Sequence, residues 1–314
     1  MKKLEKSYAI NQSPLWLMPS RKKLAGFLGF SPAELQRLAD RTDKYIKFTI
    51  KQGEKERHIQ APKALLEKVH RKLFTCLVRI EKPDYLHSGR KEHSYITNAT
   101  VHLGAVPLVK LDIKQFYPSI DGGRVYRFFH ECLKCSPDVA GLLCKLCTID
   151  GHLPTGSCLS QLLAFFSAKP MFDELHQHAT AHELRNSCYV DDMTWSGKKA
   201  TPNFLWSAKQ IVHRHGFKYH KDFIYTAGQK KVVTGVVISG SDLKVIPSRE
   251  REVWESLTAL GGANEADRLK AFDSLIGKVS AFSQIDARYL AKAQALRQRR
   301  KAMNTALTKN LKTA

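Results

Sequence analysis

Tyr189-Val190-Asp191-Asp192 sets two carboxylates side by side between short runs that read as strands, so both sit in one tight turn. An isolated Asp-Asp pair is weak evidence of chemistry, because aspartate also suits turns through hydrogen bonds to its own backbone. Asp112 changes the weight of that pair. It ends the apolar run Leu108-Val109-Lys110-Leu111, another short strand. If this strand lies beside the 188–195 hairpin, three carboxylates converge, and each raises the others' pKa unless cations share the site. Mg²⁺ suits such a cluster, since it takes oxygen ligands and binds through a few carboxylates plus substrate phosphates. Two such ions would activate an attacking hydroxyl and stabilise the leaving oxygen of an in-line phosphoryl displacement. That chemistry elongates nucleic acid chains.

Positioning these groups requires a mixed framework. Ser31-Pro32-Ala33-Glu34 reads as a capping serine, a first-turn proline and an acid at the third position, opening a helix to about Asp40. Residues 45–50 and 57–60 alternate around the turn Gln52-Gly53-Glu54-Lys55, which predicts a hairpin. Pro62 opens a helix with Leu65, Leu66, Val69, Leu73, Leu77 and Ile80 at helical spacing. Strand 106–113 follows, then helices over 123–132 and 137–147. A long helical stretch runs to about Glu183, with Pro170 expected to kink it. Residues 204–215 read as helix, 232–239 as one strand, and 243–246 as its hairpin partner.

Composition narrows the partners. The 314 residues carry 51 Lys plus Arg against 29 Asp plus Glu, a formal charge of +22. A chain so basic repels itself unless a polyanion neutralises it, and nucleic acid is the first candidate. There is no long uncharged apolar run to cross a membrane, and Lys2, Lys3, Glu5 and Lys6 precede no apolar segment of a secretory signal. Seven cysteines, an odd number, argue against a disulfide scaffold and for a reducing, cytoplasmic setting.

These elements resemble the reverse transcriptases, and specifically the bacterial retron reverse transcriptases, over about residues 53–290. Asp112-Ile113-Lys114-Gln115-Phe116-Tyr117-Pro118-Ser119 resembles the family's first catalytic motif, and Tyr189-Val190-Asp191-Asp192 its second. Leu153-Pro154-Thr155-Gly156-Ser157 with Ser160 resembles the nucleotide-binding motif, and Arg57-His58-Ile59-Gln60-Ala61-Pro62 the finger motif. Asn98-Ala99-Thr100-Val101-His102 and Val233-Thr234-Gly235 resemble two retron elements.

The resemblance implies an α+β right-hand polymerase. Residues 1–48 would be an N-terminal helical region, 49–243 the fingers and palm, and 244–314 a helical, basic, RNA-binding thumb. It implies that Asp112, Asp191 and Asp192, with the carbonyl of Ile113, hold two Mg²⁺ ions per site, Asp192 acting mainly through its charge. Lys55 and Arg57 would pair with the triphosphate, since a guanidinium fork suits phosphate oxygens, or else mark a solvated hairpin tip. Tyr117 would be the steric gate against a ribose 2′-OH, or else a core aromatic. Pro154, Thr155 and Gly156 would line the nucleotide site. Asn98, Ala99, His102, Val233, Thr234 and Gly235 would contact RNA.

The chain departs from the family at Thr155, where Gln is usual, at Gln161, where Pro is usual, and at Phe223, which aligns with the usual proton-donor lysine. Lys221 is near that position but out of register. Cys132, Cys135, Cys144 and Cys147 have zinc-compatible spacing, but the apolar face marked by Leu142, Leu143 and Leu146 makes buried structural cysteine the commoner explanation.

The implied reaction is RNA-templated DNA synthesis from deoxynucleoside triphosphates. Its template would be a cognate structured noncoding RNA, primed from an RNA 2′-OH, giving a branched short single-stranded DNA (msDNA). A retron effector protein, antiphage defence and a host ribonuclease H acting in trans complete the expectation. The alternatives are a non-retron bacterial reverse transcriptase, and a noncatalytic RNA-binding or effector-sequestering scaffold.

Overall fold

The computed structural model describes residues 7–52, 55–259 and 265–313. Lys2 to Lys6 and the Gly53-Glu54 tip of the expected hairpin lie outside the described residues, as do the side chains of Lys55, Lys309 and Lys312. Helices α1 (Arg21–Leu28) and α2 (Pro32–Asp40) come first. At α2 the Ser31 hydroxyl accepts from the Glu34 N–H while the Glu34 carboxylate accepts from the Ser31 N–H, so the expected box is complete.

Strands β1 (Tyr45–Gln52) and β2 (Lys55–Pro62) pair antiparallel. Helix α3 (Ala64–Leu77) buries Leu66, Val69, His70, Leu73 and Leu77. Leu65 does not share that stripe and faces solvent, being one residue, about 100° of helix, away from Leu66. A short helix, α4 (Tyr95–Thr100), is capped by Ser94 and leads to β3 (Leu108–Ile113). Helix α5 (Gly122–Arg127) continues into a π-turn over Phe128–Cys132. Then come α6 (Pro137–Cys147) and α7 (Ser160–Ala181), the latter an unbroken helical assignment through Pro170.

Strands β4 (Arg185–Tyr189) and β5 (Asp192–Ser196), helix α8 (Pro202–Arg214) and strand β6 (Tyr219–Tyr225) complete a four-stranded antiparallel sheet of order β4-β5-β3-β6. Its two faces differ in chemistry. Val109, Leu111, Met193 and Trp195 alternate onto one face and are fully buried in the main hydrophobic core, where Trp195 meets Phe204 of α8 edge-on. Burying each of these side chains contributes roughly 1.5–3 kcal/mol. Lys110, Asp112, Asp192 and Thr194 alternate onto the other face. A sheet fastened by apolar packing on one side can therefore carry charge on the other.

Strand β6 was not expected from the sequence. Its run Tyr-His-Lys-Asp-Phe-Ile-Tyr lacks a period-2 pattern because it is an edge strand exposed along most of its length. The single strand expected over 232–239 is instead β7 (Lys231–Val233) and β8 (Val236–Ser239), with β9 (Asp242–Val245) completing a three-stranded sheet. Thr234 and Gly235 have φ of 44° and 80°, the two positive values of a mirror-image hairpin turn, so the Val-Thr-Gly triplet folds back on itself. Helices α9 (Pro247–Ala259), α10 (Glu265–Ser283) and α11 (Arg288–Thr313) follow, with a core of their own that includes Phe272, Leu275, Val279, Phe282 and Leu296. Among the described residues no helix is long and apolar enough to cross a membrane.

Candidate active site

Asp112 is the register partner of Asp192 across β3 and β5, and directly opposed residues of an antiparallel pair project to the same face. Asp191 sits one residue earlier, in the two-residue turn that joins β4 to β5, where Tyr189 pairs with Asp192. The Ile113 N–H donates to the Asp191 carbonyl at 3.0 Å, which ties the turn to the end of β3. The expected convergence of Asp112 with the 188–195 hairpin is therefore present in the register itself.

The electrostatics separate the three acids. Burial, then the nearby Asp112, pushes the Asp191 carboxyl up to about 7, while Arg57 pulls it down. Burial also raises Asp192, but Lys110 opposes it through an ion pair of 3.0 Å, both side chains being mostly enclosed. Lys110 is two residues before Asp112 on one strand, so the alternation of β3 already put it on the acidic face; the sequence reading passed over it. Asp192 thus has a direct ion-pair partner in Lys110, whereas Asp191 is offset by Arg57 acting through its charge.

Such an arrangement suits a hard divalent cation. Asp112 and Asp191 are like charges pressed together, and a shared Mg²⁺ would remove their repulsion while keeping several waters. Among the described residues no set of three or more His, Cys, Asp or Glu side chains forms a ready-made metal cage. Two carboxylates plus substrate phosphates are what Mg²⁺ ordinarily uses. The Ile113 side chain is buried in the core, so only its backbone could face a cation here.

The loop Pro154-Thr155-Gly156 is laced to β2. The Thr155 hydroxyl donates to the His58 carbonyl at 2.7 Å, and the Gly156 N–H donates to the Gln60 carbonyl at 3.2 Å. A Cβ on Gly156 would lie 2.7 Å from Ile59 Cγ2 and 2.9 Å from the Gln60 oxygen, so the approach requires glycine. The Ser160 hydroxyl donates to the Pro154 carbonyl, and Ser157 bonds His70 at 2.7 Å, whose other ring nitrogen meets the Leu146 carbonyl at 2.9 Å. Burial holds His70 neutral, lowering it to about 4, so Nε2–H donates to Leu146 and Nδ1 accepts from Ser157. The consequence is positional: the loop and the strand bearing Arg57 form one unit beside Asp191.

Tyr117 is partly buried against Phe116, with ring centroids 5.9 Å apart, and its hydroxyl is pushed up to about 12 by burial and by Asp191. Tyr117 thus packs on the core and also borders the acids. Lys221 is the register partner of Asp112 on the β6 side. The register slips by one residue at the Asp112/Ile113 step, so His220 is an extra residue in β6. Phe223 lies instead beside Lys110, whose ammonium is 5.8 Å from its ring centroid.

Direct RNA contact is corrected for four residues. Asn98, Ala99, His102 and Val233 are 0% exposed and present no surface to a nucleic acid. His102 bonds Ser196 and Ser187 at 2.8 Å each, clamping β5 to β4, and burial keeps it neutral. Asn98 reaches Thr234 at 3.4 Å, and the Thr234 hydroxyl donates to the Tyr95 carbonyl at 2.8 Å. Val233 packs with Ala99 and Leu108, while Thr234 and Gly235 remain partly exposed. These motifs join the three-stranded sheet to the edge of the catalytic one. The cysteines are dispersed: the Cys135 thiol donates to the Leu15 carbonyl and the Cys144 thiol to the Gly122 carbonyl, while Cys147 is buried.

No protein-family model matches the chain. It is similar to the Retron Se72 reverse transcriptase of Salmonella heidelberg, 34% identical over 161 residues, which cover 49% of this chain and 42% of that protein. The Retron Ec86 reverse transcriptase of Escherichia coli is 26% identical over 220 residues, covering 67% and 68%. The Retron Mx162 reverse transcriptase of Myxococcus xanthus is 25% identical over 281 residues, covering 77% and 58%. The chain thus spans less than half the length of the Se72 protein. Among solved structures, apo telomerase from Candida tropicalis has a TM-score of 0.48 at 12% identity, covering 69% of this chain and 61% of that one. Telomerase from Candida albicans has a TM-score of 0.49 at 10% identity, covering 83% and 60%. The chain is thus similar in sequence to several retron reverse transcriptases.

Proposed function

We propose that the chain is an RNA-directed DNA polymerase of a retron. The observation that carries this reading is the pairing of Asp112 with Asp192 across β3 and β5, with Asp191 beside them pressed up to about 7. Three acids on one face of a basic protein oppose the binding of a polyanion unless cations mediate it. In this reading β1, β2 and the 154–156 loop form the fingers, the four-stranded sheet the palm, and residues from about 244 the thumb.

The chain's own groups divide the work. Asp112 and Asp191 are the metal-holding carboxylates, and Asp192, neutralised by Lys110, shapes the local charge. Bound Mg²⁺ supplies activation of the attacking hydroxyl and stabilisation of the leaving pyrophosphate. Arg57 pairs with the triphosphate, and Thr155 and Gly156 fix the strand that carries it. Tyr117 borders the sugar position and excludes a 2′-OH. Lys221, opposite Asp112, places a second cation at the edge of the site.

The substrates proposed are deoxynucleoside triphosphates and a structured noncoding RNA primed from a 2′-OH, yielding a short branched msDNA trimmed by a host ribonuclease H. An effector protein and antiphage defence belong to the same proposal. To test it, the chain is expressed with its flanking DNA, and nucleic acid is extracted and treated with ribonuclease. A discrete single-stranded DNA, absent from the Asp191→Asn, Asp192→Asn double variant, is the expected result. Activity on generic primed RNA without that band would reject the retron assignment; no DNA in either assay would reject the polymerase.

A further inference from the structure

Val190, the first residue of the catalytic turn, has φ of 61°. A β-branched residue is strained there and persists only where its surroundings hold it. In a two-residue hairpin turn the ladder bonds belong to the flanking pair, here Tyr189 and Asp192, so the turn's own N–H and carbonyl groups need partners from elsewhere. The Asp191 carbonyl finds one in the Ile113 N–H. The Val190 N–H donates to the hydroxyl of Ser88 at 3.0 Å.

Ser88 is itself buried, at 3% exposure, in a strap that runs along the free edge of β4. Leu86 bridges Cys188 in parallel, the Cys188 N–H donates to the Tyr85 carbonyl at 2.7 Å, and the His87 N–H donates to the Cys188 carbonyl at 2.9 Å. The Tyr85 hydroxyl anchors the strap to Asp173 of α7 at 2.7 Å. Gly89 ends it at φ of 60°, where a Cβ would lie 3.0 Å from Leu162 Cδ2. The strap is thus fixed at both ends, with Ser88 held under the turn.

We infer that Ser88 is a positioning residue for catalysis: its hydroxyl fixes the Tyr189–Val190 peptide at the entry to the turn and so the direction in which the next residue, Asp191, presents its carboxylate. This rests on the polymerase reading above. Ser88 touches no substrate. It sets the geometry of the residue that holds the cation, and small misplacements in such sites are costly in rate.

The test compares wild type, Ser88→Ala and Ser88→Thr on a primed RNA template. Ser88→Ala is expected to lower kcat by about 10- to 100-fold with the nucleotide KM and template affinity unchanged, and Ser88→Thr to restore most of the loss. Hydrogen exchange read on the 186–193 peptide is expected to speed up about fivefold or more in Ser88→Ala and to stay slow in Ser88→Thr. Wild-type kcat in folded Ser88→Ala, or unchanged exchange at the turn, would overturn the role of Ser88 while leaving the polymerase intact. An inactive wild type would remove the polymerase reading and the positioning role together. If Ser88→Ala does not fold, full activity in Ser88→Thr with turn exchange as slow as wild type supports the role, and a Ser88→Thr protein that folds but has lost kcat overturns it.

Discussion

Two regions enclose polar side chains in this molecule for opposite ends. On the open face of the four-stranded sheet, Asp112, Asp191 and Asp192 are pressed together, and their mutual repulsion is met only in part by Lys110 and Arg57. At the seam with the three-stranded sheet, His102, Ser187 and Ser196 satisfy one another and His102 stays neutral. The first region is electrostatically incomplete and calls for a ligand. In the second, both ring nitrogens of His102 have hydroxyl partners and no ligand is called for there. Both stand out as motifs in sequence, and it is the balance of charge and hydrogen bonds that separates chemistry from joinery.

The comparison breaks most sharply by substitution of the acids. Asp112→Asn is expected to lower DNA synthesis by at least about 10³-fold, because metal ions supply several kcal/mol of charge stabilisation. The same variant should fold as well as wild type or better, since one like charge is gone; a thermal melt alongside a primer-extension assay checks both halves. His102→Ala should do the reverse. It leaves the Ser187 and Ser196 hydroxyls buried without their shared partner, at a cost of about 2–4 kcal/mol in denaturant unfolding. The kcat of the folded fraction should stay near wild type.

Gly156→Ala probes the border of the open site. Its Cβ would force the 154–156 loop away from β2, so the nucleotide KM should rise several-fold, with a smaller change in kcat, in steady-state kinetics. The gentlest test is pH. His70 and His87, lowered to about 4, and His102 are neutral in the fold, whereas the unfolded chain binds protons below about 6.5. Their contribution is fully present above about 6.5 and is lost as pH falls, by about 2 kcal/mol at pH 5 for each of His70 and His87 and in the same direction for His102. Asp191 tilts the opposite way, its raised value making the protein less stable as pH rises from about 4 to 7. Melts from pH 5 to 8 should therefore show a steeper acid loss in Asp191→Asn and a shallower one in His102→Asn.

The convergence of the three acids was legible because their types and order are demanding. Asp112 ends an apolar strand, and Asp191-Asp192 fills a two-residue turn, so only their spatial meeting remained to be found. The capping box at Ser31 and the Gly156 loop were legible for the same reason, each being local. What escaped was set by distance. Strand β6 has no alternation because it is exposed along most of its length, so nothing local places Lys221 opposite Asp112. Ser88 carries no signal at all, since nothing in its neighbours announces a turn that lies 102 residues away. Asn98 and His102 were visible as motifs, yet their burial depends on two sheets meeting.

The central position of β3 has a consequence for how the chain comes to exist. Its two neighbours are β5 and β6, and Asp112 must find Asp192 and Lys221, partners synthesised long after it. Until residues 185–225 have emerged, β3 has both edges bare while helices α5 to α7 are already made. Loops of that length close slowly, and an unpaired apolar strand is open to wrong partners in the interval. The acidic face of the sheet is thus the part of this molecule that assembles late, and a chain released before β6 would hold Asp112, Asp191 and Asp192 without the outer strand that braces them.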